Sequence, residues 1–274
     1  MVESDSNLVD FFSKCDAFEL LTLLKAMKSH YSPFSKKLVK RYPTENDIPN
    51  ANTPERMELS NEMLQLLQWY GSNAVAYGWR KITVKRGGCH YHKILRDVAK
   101  RLNHCKKRKD RKELPKVDSV DGWESRICSL LLASAVKGKT SQEIAIMFEE
   151  AGLDAEAART AAMHFVPGAV VGISLPIAVN ILGKKTVTIL VKEIIIHLTY
   201  RRVGKEAATQ MAKRLLLTTP QKVFVKIISG IGWSLLAIDS ALFLSSPARR
   251  VTIPVVSMIS ALRSLDRLKN LNEE

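Results

Sequence analysis

A chain of 274 residues with 46% hydrophobic and 25% charged side chains has the composition of a folded protein, which excludes global disorder. The formal net charge of +15 is uneven: 15 Lys or Arg against three acids lie between Arg80 and Lys116, a local +12 that leaves only +3 elsewhere. Four scattered cysteines (Cys15, Cys89, Cys105 and Cys128) and a first ten residues carrying Glu3, Asp5 and Asp10, without a basic-then-apolar leader, predict a reduced intracellular setting.

Leu8, Phe11, Phe12 and Cys15 recur at helical spacing. Asp16 with Glu19 reads as a capping box opening a second helix, with Leu20, Leu21, Leu24 and Met27 on one face. Ser32-Pro33 starts a third, because proline at the first helical position gives up no bond. Tyr42 to Thr53, rich in Pro, Asn and Asp, is a loop. Thr53-Pro54 opens the next helix, with Met63, Leu64, Leu67 and Tyr70 inward and Gly71 at its end. A short helix is expected around Ala74 to Lys81, then a turn at Arg86-Gly87-Gly88. Tyr91, Ile94, Leu95, Val98 and Leu102 mark an amphipathic helix whose other face is Lys93, Arg96, Lys100 and Arg101.

Residues 106–118 form a basic linker that divides the N-terminal region, 1–105, from the C-terminal region, 119–274. Beyond it, a helix from Ser119 to Val136 buries Ile127, Leu130, Leu131 and Val136. Thr140 with Glu143 is a second capping box, Gly152 stops that helix, and Asp154 caps another. Then come four apolar segments: 160–183, 186–200, 223–244 and 251–262. A further helix runs from about Lys205 to Leu217.

Thr160 to Gly183 has 24 residues without a formal charge, longer than the roughly 20 needed to cross a bilayer. It is the best candidate for insertion, although Pro167, Gly168, Gly172, Pro176 and Asn180 interrupt it. Asp239 and the Lys192–Glu193 pair argue against three clean spans, since a charge at bilayer centre costs roughly 2.5–3.5 kcal/mol on insertion scales. The competing reading is a helix apolar all round, buried inside a bundle.

Several stretches resemble the YaaW-like family of uncharacterised bacterial proteins. Leu8-Val9-Asp10-Phe11-Phe12 with Cys15 looks like its N-terminal module. Gly71 and Asn73, then Arg86, Gly88, Tyr91 and Asp97, are similar to its central motifs. Gly232-Trp233 and the run holding Arg250, Thr252 and Pro254 are similar to its C-terminal signature. The resemblance implies a helical fold, with a domain likened to the ubiquinol–cytochrome c chaperone, and it implies no established reaction.

Cys89, His90, His92, His104 and Cys105 are suitable zinc ligands by type. A helix over Tyr91 to Asn103 would hold the two groups roughly 20 Å apart, so no metal site and no cofactor is assigned. His164 and His197 lie in apolar runs and read as satisfied core histidines or as histidines lining a polar seam. There is no GxxxxGK[ST] loop, and no nucleophile, base and orienting group stand in a known arrangement, so no catalytic residue is assigned.

The sequence therefore predicts an all-α multi-helix bundle with an apolar C-terminal half, acting without catalysis. Its partner is expected to be an anionic lipid membrane, met at the cytoplasmic face by Lys93, Arg96, Lys100, Arg101, Lys106, Lys107, Arg108 and Lys109. A soluble chaperone-like module with a protein partner is the alternative. Nucleic acid is a weaker one, because only Tyr77, Trp79 and Tyr91 could stack on bases.

Overall fold

The structure is a computed structural model that describes residues 3–29, 32–71, 89–103, 117, 119–136, 138–165, 174–215 and 247–270. All regular structure among these residues is helical, as the periodicity predicts. The elements in order are α1 (Glu3–Lys14), α2 (Ala17–Ala26), α3 (Pro33–Arg41), a 3-10 turn at Glu45–Asp47, and α4 (Pro54–Gly71). There follow α5 (Tyr91–Asn103), α6 (Val120–Ala135), α7 (Ser141–Glu150), α8 (Ala155–His164), α9 (Leu175–Arg202), α10 (Lys205–Leu215) and α11 (Pro247–Asn270).

Helix starts follow the capping chemistry. Asp16, Ser32, Ser119 and Asp154 each accept a hydrogen bond from the backbone N–H three residues on. At Thr140 the box is reciprocal: the Glu143 carboxylate accepts from the Thr140 N–H at 2.7 Å, and the Thr140 hydroxyl accepts from the Glu143 N–H. Gly152, at φ +95°, ends α7, and the Leu153 N–H then bonds back to the Phe148 carbonyl at 2.9 Å.

The chain forms two compact units. Unit one comprises Met1–Val98 with Ser245–Val256; unit two comprises Ala99–Leu244 with Ser257–Glu274. Both α5 and α11 therefore run across the division; the linker expected at 106–118 lies, except for Val117, outside the described residues. In unit one, α1 packs on α4, and α2 meets α3. Leu8, Phe12, Leu20, Leu24, Met63 and Leu67 build the core there. In unit two, α7 pairs with α8, and α9 packs on α6, α8 and α10.

Of the candidate insertion segment Thr160–Gly183, residues 166–173 lie outside the described residues. α8 stops at His164, and the Phe165 ring packs edge-on against Phe148, with centroids 5.1 Å apart. α9 starts afresh at Leu175 and kinks at Gly183, whose φ of +75° is a left-handed conformation that glycine adopts without penalty. No described helix is long and apolar enough to cross a membrane. The expected helix at Ala74–Lys81, the Arg86-Gly87-Gly88 turn and the segment Val223–Leu244 lie outside the described residues.

Val251 to Leu262 lies within α11, and every residue of it is buried. Pro254 stands inside this helix, where its ring offers no N–H to the preceding turn.

Gly71 explains how α4 and α5 approach. A Cβ at Gly71 would lie 2.6 Å from both Cγ1 and Cδ1 of Ile94, a buried residue of α5. Gly71→Ala is expected to destabilise the protein by about 1–3 kcal/mol through overpacking. Trimming Ile94 to Ala in the same chain should recover part of that loss. A urea-unfolding double-mutant cycle measures the coupling, and strict additivity would disprove the contact.

Candidate anionic-surface interface

α5 is held at its start by a single carboxylate. Asp5, on the first turn of α1, is only 4% exposed. Its Oδ1 accepts from the Tyr91 backbone N–H at 2.9 Å, and its Oδ2 accepts from Gln68 Nε2 of α4 at 3.1 Å. Oδ2 also lies 2.9 Å from His90 Nδ1. A carboxylate at a helix N-terminus satisfies an open N–H and complements the positive end of the helix dipole. One side chain thereby ties α1, α4 and α5 together. Asp5→Ala would leave the Tyr91 N–H without its acceptor. The expected loss is about 2–3 kcal/mol in urea unfolding, and a change within 0.5 kcal/mol would refute the role of the carboxylate.

From that anchor α5 divides cleanly. Tyr91, Ile94, Leu95, Val98, Ala99 and Leu102 are buried, while Lys93, Arg96, Lys100 and Arg101 are exposed. Lys93, Arg96 and Lys100 follow one another three and four positions apart, which lines them along one side of the helix. No ion pair engages any of these three among the described residues. Half-buried His92 sits beside them, its imidazole held below the usual value by burial and then by the charges of Arg96 and Lys93. Lys106, Lys107, Arg108 and Lys109 lie outside the described residues.

The positions that carried the family resemblance are scattered in role. Gly71 permits a close helix approach, and Tyr91 is a fully buried first residue of α5. Asp97 is exposed among the basic side chains. Arg250 is exposed, while Thr252 and Pro254 are buried in α11. Asn73, Arg86, Gly88, Gly232 and Trp233 lie outside the described residues.

The potential zinc ligands do not gather. His90 is spent on Asp5, and no cluster of three or more His, Cys, Asp or Glu fit for a metal occurs among the described residues. His104 and Cys105 lie outside them. The Cys128 thiol is pushed up to about 11 by burial, partly offset by the Ser264 hydroxyl and Arg267. It is therefore protonated at neutral pH and poorly nucleophilic.

Two further charged groups escaped the sequence reading. Arg56, on α4, is 1% exposed and donates to the Pro49 carbonyl at 3.2 Å and to the Cys15 carbonyl just past α1. Its charge thus stands at the negative end of α1's dipole. Glu124, fully buried on α6, receives Arg263 Nε at 3.1 Å and Arg267 Nη2 at 3.3 Å from α11. Asp121, one turn earlier, takes Arg267 Nη1 at 2.9 Å.

α9 carries a different pair, Glu193 and His197, one turn apart. Burial, then the Glu150 charge, pushes the Glu193 carboxyl up to about 8. Burial, then Arg201, pushes the His197 imidazole down to about 4. Both groups are neutral at pH 7. An unfolded glutamate ionises near 4.5, so between 4.5 and 8 the folded state holds the extra proton and stability falls as pH rises. Unfolded histidine titrates near 6.5, so between 6.5 and 4 stability falls as pH drops. The two slopes offset between 4.5 and 6.5, and above 6.5 only Glu193 acts. Stability should drop by up to about 1.4 kcal/mol per pH unit between 6.5 and 8. Glu193→Gln should flatten that slope in denaturation curves; an unchanged slope would show that Glu193 is not its source.

Compared with protein-family models, with curated proteins and with solved structures, the chain gives no match.

Proposed function

We propose that this chain is a non-enzymatic helical protein that docks peripherally on anionic membrane surfaces through α5. The observation that carries this reading is the face of Lys93, Arg96 and Lys100, exposed, aligned and without an ion-pair partner among the described residues, on a helix whose opposite face is buried. Each basic residue near an anionic bilayer contributes about 1 kcal/mol. Docking is peripheral in this reading because no described helix is long and apolar enough to enter as a span. Membership of the YaaW-like family is part of the proposal, resting on the motifs around Gly71, Tyr91 and Arg250. A second reading, a chaperone-like module that meets a protein partner, is favoured by the burial of Val251 to Leu262 on every side.

Co-sedimentation with phosphatidylcholine vesicles, with and without phosphatidylserine, tests the first reading. The intact chain should bind only the anionic vesicles, and binding should weaken as salt rises. Lys93→Ala/Arg96→Ala/Lys100→Ala should lose on the order of a hundredfold in affinity. Equal binding to neutral vesicles would overturn the reading, as would tighter binding to duplex DNA than to anionic vesicles.

A further inference from the structure

Unit two gathers lysines that the sequence keeps apart. Lys184 and Lys192 stand eight positions apart, on one side of α9. Lys184 Nζ donates to the Lys269 carbonyl near the end of α11, at 3.2 Å. The charge of Lys269 also bears on Lys192, whose half-buried ammonium is held below its usual value by burial first and by Lys269 second. Lys185 is exposed beside the kink at Gly183, where a Cβ would meet open space. Asp266 pairs with Lys269 at 3.0 Å. No described acid pairs with Lys184, Lys185 or Lys192. Neighbouring Glu193 is buried and neutral at pH 7, so it does not compensate them.

Ammonium groups without a paired acid gain from an incoming counter-charge, and a partly buried one gains most. We propose that Lys184, Lys185, Lys192 and Lys269 form a second anionic-surface contact, which receives the phosphate and carboxylate groups of anionic phospholipids. The inference rests on the membrane reading of α5 for its ligand class but on different residues for its surface. Charge complementarity decides the occupant: three ammonium groups without an acid match a headgroup layer that presents many anions side by side.

The test uses the full chain and the same phosphatidylcholine vesicles with and without phosphatidylserine. Lys185→Gln/Lys192→Gln/Lys269→Gln leaves the Lys184 cap in place. It should weaken binding to the anionic vesicles on the order of a hundredfold. Unchanged affinity, with the α5 triple variant still impaired, would overturn this contact and leave the α5 reading standing. Loss here with a neutral α5 triple would do the reverse. Amine acylation of the unsubstituted protein supplies a readout independent of variant folding. Lys185 and Lys192 should be protected by anionic vesicles and not by neutral ones, and equal reactivity in both would overturn the contact.

Discussion

A charge taken out of water must be answered, and in this protein the answers come from far along the chain. Asp5, Arg56 and Glu124 are each almost inaccessible to solvent. Asp5 is met by groups 63 to 86 positions away, and Arg56 by a carbonyl 41 positions away. Glu124 is met by two arginines of the last helix. Removing one partner from such a set leaves the other buried and unanswered, which typically costs several kcal/mol. The hydrophobic core could tolerate small shifts of its helices; these polar sets fix which residues must meet. The basic face of α5 inherits its placement from one of them.

The helices themselves were legible because capping and periodicity are local. Thr140 and Glu143, or Ser32 and Pro33, carry their signal within four residues, and the structure uses them as read. The inward face of α5 was equally plain, since Tyr91, Ile94, Leu95, Val98 and Leu102 repeat at helical spacing. What could not be read was anything that depends on two distant segments. Asp5 looked like an ordinary acid in an acidic first turn. Arg56 stood in a helix start and gave no sign of burial. Gly71 ended a helix on paper; in the structure it also makes room for Ile94. Within Thr160–Gly183, lack of charge did not show where one helix ends at His164, where the next begins at Leu175, or that Gly183 is left-handed.

Charge followed the same rule. Counting along the sequence credited nearly all of the excess to Arg80–Lys116, so the remainder seemed electrically quiet. That count balances acids against bases wherever they lie, and many of those acids are committed elsewhere. Asp121 and Glu124 face arginines, while Glu193 is buried. Those acid–arginine pairs cancel within the count, and Lys184, Lys185 and Lys192 are left without a paired acid among the described residues. A surface potential depends on which charges are spatially close, and net charge reports only their sum.

The sharing of α11 between the two units has a consequence for the order of synthesis. Unit one is built mostly from the first 98 residues, yet it also includes Ser245–Val256. A ribosome delivering the chain from its N-terminus presents α1 to α4 long before that segment exists. The early helices must therefore wait with part of their partner surface missing, the kind of interval in which exposed apolar surface invites aggregation. Closing the unit also joins residues separated by most of the chain, and such long-range contacts slow folding. Ser245–Val256 thus completes a unit whose other residues emerged far earlier.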